Sequence, residues 1–406
     1  MSCGYYLHKQ YDITVFEQAS YAGGHTNTIS VNENGTPVYF DTGFMVFNHI
    51  TYPLLTKLFD ELGVDTKPTS MSFSVQHLQS GLEYCGSGLI GLFAQRKNVF
   101  NVRFIKMLLQ ISRFNSESVK LLASGSVENL SVKDFCHSLG LGNDFLEKYL
   151  IPMSGAVWST PPDKMLGFPA QTLVRFFHNH GFLGLHTQHQ WYTVNGGSRM
   201  YRDKIIAPYK DRLRLNDAAV AVTRLPNGKA EVRTQHGHTQ EFDKVILACH
   251  ADQALRILQQ PTTAEQRLLS CFRYQPNRAI VHTDETVMPR TRRAWSSWNY
   301  RIGSNLVPST IYWMNSLQGV SDKRNYFVSI NGADAIDPKK VITEIDYEHP
   351  LFDVASQQAQ TELQTLNGKD NVYFCGSYFR YGFHEDALLS ATELCKLLLN
   401  QPKPSF

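Results

Sequence analysis

The apolar positions of this chain form short continuous runs near its start, middle and end, separated by segments of helical period. The opening residues through His8 read as the end of a helix, and Tyr11 to Phe16 reads as a buried strand ending at Glu17. Val38 to Asp41 predicts a second short strand, closed by Thr42 and Gly43. Thr51 to Leu62 predicts a helix with Pro53 in its first turn, where a missing N–H costs nothing. Phe100, Phe104, Met107, Leu108 and Ile111 recur at helical spacing and predict an amphipathic helix over 100–114. Trp191 to Gly197 reads as a loop leading into another helix. From Arg212 to Ala248 the pattern alternates, with a hairpin turn at Pro226-Asn227-Gly228. Asp243 to Ala248 and Asn371 to Gly376 are apolar runs of the kind found in buried parallel strands. The last helix carries Ala387, Leu388, Ala391, Leu394, Cys395 and Leu398 on one face.

That interleaving predicts one α/β nucleotide domain assembled from three segments (1–65, 191–252 and 346–406) and a second domain inserted twice (66–190 and 253–345). With 406 residues, both can bury a core. A net charge of +3, spread without a dominant basic block, gives nucleic-acid binding no support. No apolar run approaches the ~18 residues of a membrane-spanning helix, and the N-terminus lacks the pattern of a signal peptide. Seven scattered cysteines without a CxxC pair read as small buried hydrophobes of a reducing compartment, so the cytoplasm is the expected location.

Chemistry begins at Glu17. An acidic residue ending the first visible strand of an α/β unit can accept hydrogen bonds from both ribose hydroxyls of an adenosine. Alone, it equally fits a solvated loop end. Ala22-Gly23-Gly24-His25-Thr26 follows, and paired glycines let backbone amides approach a phosphate. Asp41-Thr42-Gly43 then ends a strand with a carboxylate and a glycine. Each piece separately fits turn chemistry; the ordered set fits it less well.

The run Val15-Phe16-Glu17, Gly23-Gly24-His25-Thr26 and Phe40-Asp41-Thr42-Gly43 resembles the start of the flavin amine-oxidase superfamily, with His25 where that family usually has arginine. Tyr373 to Ser377 and Tyr381 to Ala387 are similar to its closing motif. Asp243 to His250 resembles its middle strand, and Asn195-Gly196-Gly197-Ser198 its return to the cofactor domain. The likeness runs along the whole chain and is nearest to bacterial predicted FAD-binding proteins. Asp41 to Asn48, Ser70 to Val75, Val174 to Gly181 and Trp295 to Tyr300 carry that nearer resemblance. It implies an α/β fold: a Rossmann-like FAD-binding domain from three segments with an inserted mixed α+β substrate domain. It also implies noncovalent FAD, held by Glu17, Gly23, Gly24, His25, Thr26, Asp41, Gly43, Ala219, Ala248, Gly376, Ser377, Gly382, Phe383, His384 and Glu385. The family begins with a strand and a GxGxxG loop, and Ser2 to Leu7 looks like the interior of the helix that follows them. The expectation is therefore a chain short of that strand and loop, through a misplaced start codon or truncation, and poor at holding flavin.

Hydride transfer to flavin leaves the hard chemistry to the cofactor. The catalytic candidates implied by the resemblance are Arg278, standing where many members place a lysine near the flavin, with Phe383, His384, Trp298 and Tyr300. Trp158 is a further aromatic candidate, and all these aromatics also fit plain core. His178 and His180 flank Asn179 without further metal ligands, so no metal is expected. The expected partner is a small molecule. Aromatic abundance and the missing lysine tilt the substrate toward a lipid or isoprenoid, with an ordinary amine oxidase, a non-catalytic remnant and a nicotinamide-dependent dehydrogenase as rivals. Arg96, Lys97, Arg103, Lys106 and Arg113 accompany the amphipathic segment. That composition fits packing on the substrate domain, the expected arrangement, and also contact with a membrane surface.

Overall fold

Alternation and turn chemistry set the local elements; pairing between distant segments sets the architecture. The computed structural model describes residues 1–124, 130–184, 187–303, 308–368 and 370–399. Val15–Phe16 pairs in parallel with Leu213–Arg214, and Val245–Leu247 pairs in parallel with Val372–Phe374. These pairs join the three separated pieces, but the first strand is shorter and less buried than the run from Tyr11 to Phe16 predicts: only Val15 and Phe16 pair, and both are half-buried. An antiparallel meander of Ala219–Arg224, Ala230–Thr234 and Thr239–Phe242 lies between them in sequence, its first turn at the anticipated Gly228.

The larger sheet has seven strands in the order Val341–Leu351, Arg273–His282, Phe327–Ile330, Pro308–Trp313, Trp298–Ile302, Phe73–His77 and Leu82–Cys85. All its pairs are antiparallel except Trp298–Ile302 with Phe73–His77. The chain is thus α/β: parallel strand pairs and helices beside a mixed sheet carrying the inserted segments. Thr66–Thr69 pairs antiparallel with Trp191–Val194, so the two chain crossings at the first insertion run side by side. Strand Val341–Leu351 runs through the boundary placed at 345/346.

Trp191–Val194 was expected as loop and is a strand. Its alternation is short and runs straight into Asn195-Gly196-Gly197, which hides it; pairing with Thr66–Thr69 decides the conformation. Helix Pro53–Leu62 matches its expectation, with proline in the first turn and Gly63 closing it in a left-handed conformation. The amphipathic segment forms helix Val102–Ser124, and Phe104 and Met107 are buried against Val75, Leu82 and Tyr84. Phe100 does not share that face: it is 89% exposed. Cys85, Cys136, Cys375 and Cys395 are buried, whereas Cys3, Cys249 and Cys271 are partly exposed.

Candidate functional site

The glycine turn at Ala22–Thr26 and the first residues of helix His384–Leu398 meet, although 358 positions separate them. Thr26 Oγ1 lies 3.0 Å from His384 Nε2 and 2.9 Å from the Tyr201 hydroxyl. The His384 ring stacks on Phe44 at 3.9 Å. Gly23 and Gly24 both have positive φ, a conformation that favours glycine, and a methyl group at Gly23 would sit 2.7 Å from the Thr26 carbonyl oxygen. A methyl group at Gly43 would sit 2.4 Å from the His25 carbonyl oxygen, so that strand end needs its glycine for close approach. The His25 ring stacks on Tyr347 at 4.6 Å and meets His349 edge-on at 5.1 Å. Its Nε2 is buried without a hydrogen-bond partner among the described residues. Such an atom calls for an explanation, and a ligand is one.

Burial holds the His25 imidazole well below its ordinary pKa, and the nearby His349, His384 and His250 push the same way. Burial takes His384 down to about 4, and burial with His250 takes His349 to about 4. At neutral pH these rings are therefore uncharged hydrogen-bonding groups.

Helix His384–Leu398 brings its first, unpaired amides to this place. Phe383 donates its N–H to Asp386 Oδ2 at 2.9 Å. Burial raises the Asp386 carboxyl to about 7 against that bond and the Arg380 guanidinium. The Glu385 side chain turns away: its two oxygens accept from the Leu54 and Leu55 amides at 2.8 and 3.0 Å, capping helix Pro53–Leu62. Gly376 donates to Ser390 Oγ at 2.9 Å, and Ser377 opens a short turn before Gly382, whose φ is +93°. Glu17 ends its strand with Oε1 on the Ala19 amide at 2.9 Å. Ala219 begins the meander, and Ala248 follows Val245–Leu247, exposed.

An aromatic wall adjoins Phe383. Phe176 stacks on Phe383 at 4.9 Å, His180 on Phe176 at 3.8 Å, and Trp158 lies 4.7 Å from Phe176. His180 Nδ1 donates to the Phe176 carbonyl at 2.9 Å, since a carbonyl oxygen can only accept; burial brings its pKa to about 4. His178 is exposed on the same helix end, so the two histidines do not converge. Trp298 and Tyr300 point to one face of their strand, as alternate residues must. Trp298 Nε1 and the Tyr300 hydroxyl are both buried and unpartnered among the described residues. Tyr300 packs with Ala156, on the helix that ends at Trp158.

Arg278 stands apart from this place, and Asp41 has its carboxylate taken up by the protein. Arg278 is on the outer face of strand Arg273–His282, its side chain 54% exposed and ion-paired with Glu344 and Asp346 at 3.2 Å. Period-two geometry directs its neighbour Asn277 inward instead, 3.0 Å from His349 Nδ1. The Asp41 carboxylate is engaged by the protein: it accepts from Ser198 N and Oγ, Thr28 Oγ1 and Gln318 Nε2 at 2.5–3.0 Å. Tyr347 and His349 escaped the sequence reading, although the acids at 344, 346 and 348 mark the other face of their strand. Surface clefts of about 540 and 570 Å³ lie beside Trp313 and beside Lys67 and are lined by none of the expected cofactor or catalytic residues. Among the described residues, no His/Cys/Asp/Glu group could hold a metal ion.

A family model described as flavin containing amine oxidoreductase matches residues 1–316. The chain belongs to that family. The family brings a flavin cofactor and oxidoreductase chemistry. No curated protein matches. Among solved structures, a putrescine oxidase bound to putrescine superposes with a TM-score of 0.69 at 14% identity, over 98% of this chain and 96% of that one. A fatty acid isomerase from P. acnes, described as CLA-producing, gives 0.68 at 15% identity, over 98% and 95%. Reduced UDP-galactopyranose mutase gives 0.67 at 13% identity, over 99% and 94%. At these identities the likeness is one of fold, shared by proteins whose substrates differ widely.

Proposed function

We propose that this protein is an FAD-dependent oxidoreductase that holds FAD noncovalently and takes hydride from a largely apolar substrate, of lipid or isoprenoid character, bearing a polar group. The supporting observation is the meeting of the glycine turn, the N-terminus of helix His384–Leu398 and the aromatic wall at Phe383. These residues would hold parts of a flavin dinucleotide. Glu17 would take the adenosine ribose, and the Gly23 and Gly24 amides the pyrophosphate. The first amides of the C-terminal helix, beside Gly376 and Ser377, would meet the electron-rich edge of the flavin ring. The unpartnered Nε2 of His25 supplies one more polar contact. Bound FAD supplies the hydride acceptor. Noncovalent attachment accords with Cys375, whose thiol lies 3.7 Å from Cys3 in an apolar cluster with Ala391 and Leu394.

On the substrate side, Phe176, Phe383 and Trp158 offer apolar surface that excludes water. Trp298 Nε1 and the Tyr300 hydroxyl would offer donors to polar groups of the substrate. The inward residue of strand Arg273–His282 is the neutral Asn277, which orients His349. Nothing among these groups is a fixed charge aimed at an amine. The test is anaerobic mixing of the FAD-loaded protein with small primary amines and, separately, with unsaturated acyl or isoprenoid compounds. Amines should leave the oxidised flavin spectrum intact, and an apolar compound should bleach it. Rapid bleaching by a small amine would return the protein to the ordinary amine oxidases.

A further inference from the structure

Thirteen large apolar residues are exposed among the described ones, and six of them fall within positions 89–109. They are Leu89, Ile90, Val99, Phe100, Val102 and Leu109; Phe100 is 89% exposed, Ile90 and Val102 80%. Three consecutive elements carry them: helix Gly88–Leu92, the tight turn Arg96–Phe100 and helix Val102–Ser124. Here the usual partition is inverted. Asn98 is buried, while its neighbours Val99 and Phe100 face solvent.

The inversion is held in place. Gln95 donates to the Gly81 carbonyl at 2.9 Å and accepts from the Glu83 amide and Asn98 Nδ2 at 3.1 and 3.2 Å. Asn101 Oδ1 accepts from the Arg103 and Phe104 amides at 3.1 and 3.2 Å, starting the long helix. Phe104 and Met107 then bind that helix to the sheet. These anchors leave the exposed side chains no route inward. Scattered apolar residues on a surface need no explanation, but six on one anchored, continuous segment do.

Charge identifies what covers them. Positions 84–116 contain Arg96, Lys97, Arg103, Lys106 and Arg113 and no aspartate or glutamate. A second copy meeting this face in two-fold symmetry would set like charges against like. A layer of anionic headgroups over hydrocarbon satisfies both features, the bases at the headgroups and the apolar tips below them. We propose that residues 88–113 form a docking surface for an anionic membrane. No helix among the described residues is long and apolar enough to cross one, so the contact is peripheral. This inference is independent of the substrate assignment.

The experiment is co-sedimentation of the full chain with vesicles of phosphatidylcholine, with and without phosphatidylglycerol. Binding to the mixed vesicles should exceed binding to pure phosphatidylcholine and fall as salt is raised. The double variant Phe100→Ser, Val102→Ser and the triple variant Arg96→Gln, Lys97→Gln, Arg103→Gln should each weaken it about tenfold or more. All five positions are exposed, and unchanged circular dichroism checks that the fold survives. Absence of binding to the anionic vesicles overturns the proposal. So does equal binding by the wild type and both variants. A dimer in size-exclusion chromatography that the Phe100→Ser, Val102→Ser variant dissolves would assign the face to a second copy instead.

Discussion

The knot around Asp41 and the strand Trp298–Ile302 are both buried and both polar, but the first is closed and the second is open. At Asp41 the carboxylate meets donors from the hairpin, from Ser198 and from Gln318, and Gln318 also reaches Thr193 Oγ1 at 2.8 Å. Three distant segments are tied through one side chain. On Trp298–Ile302, Trp298 Nε1 and the Tyr300 hydroxyl have no protein partner among the described residues. An unmade buried hydrogen bond costs about 1–3 kcal/mol, so a fold keeps such a group where water or another molecule completes it. A satisfied buried cluster reports on architecture. An unsatisfied one marks where water or another molecule can complete it.

The largest expected effect breaks the closed side. Asp41→Ala leaves several buried donors unpaired, at about 1–3 kcal/mol for each, and should cost about 3 kcal/mol or more, read as a lower denaturant midpoint without added flavin. A loss under 1 kcal/mol would show that water replaces the carboxylate and that the knot is not closed. Glu17 stands between the two cases, with one oxygen on Ala19. Glu17→Ala should weaken FAD by about 1.5–3 kcal/mol, measured by fluorescence titration, and leave FMN indifferent. Equal losses for both flavins would place Glu17 with the structural residues.

Smaller still is the effect of Tyr300→Phe on the open side. Its stability should stay level or rise by up to about 1 kcal/mol, since an unpartnered hydroxyl is lost. Substrate-driven flavin reduction should fall about tenfold, equivalent to about 1.4 kcal/mol. A clear drop in stability would mean that the hydroxyl already has a partner. The finest test is pH. Burial raises the Asp386 carboxyl from 3.8 to about 7, so the folded state holds that proton more tightly than the unfolded chain does. Its contribution to stability is complete below pH 4 and is lost as the pH rises through 7. Asp386→Asn should flatten that decline in midpoint-against-pH measurements. His384 acts in the opposite sense: held down to about 4, it favours the fold above its ordinary 6.5 and loses that advantage as the pH falls through 4.

What the sequence determined by itself was local or periodic. Paired glycines, the proline-led helix at Pro53, the hairpin at Gly228 and the apolar runs at Val245 and Val372 each follow from backbone sterics or burial over a few residues. The paired glycines and the two apolar runs also carried the family resemblance, because motif order survives when identity does not. Tertiary structure decided which side of each element does what. Arg278 and Asn277 are adjacent, and only the pairing of their strand with Val341–Leu351 turns the guanidinium toward Glu344 and Asp346 and the amide toward His349. Asp41 looked like a cofactor ligand until Ser198 and Gln318 closed over it. The same held for Phe100, whose helical spacing placed it with Phe104 and Met107 while the turn at Asn98 placed it in solvent. One residue of register reverses a strand's faces, and hydrogen-bond partners hundreds of positions away leave no local trace.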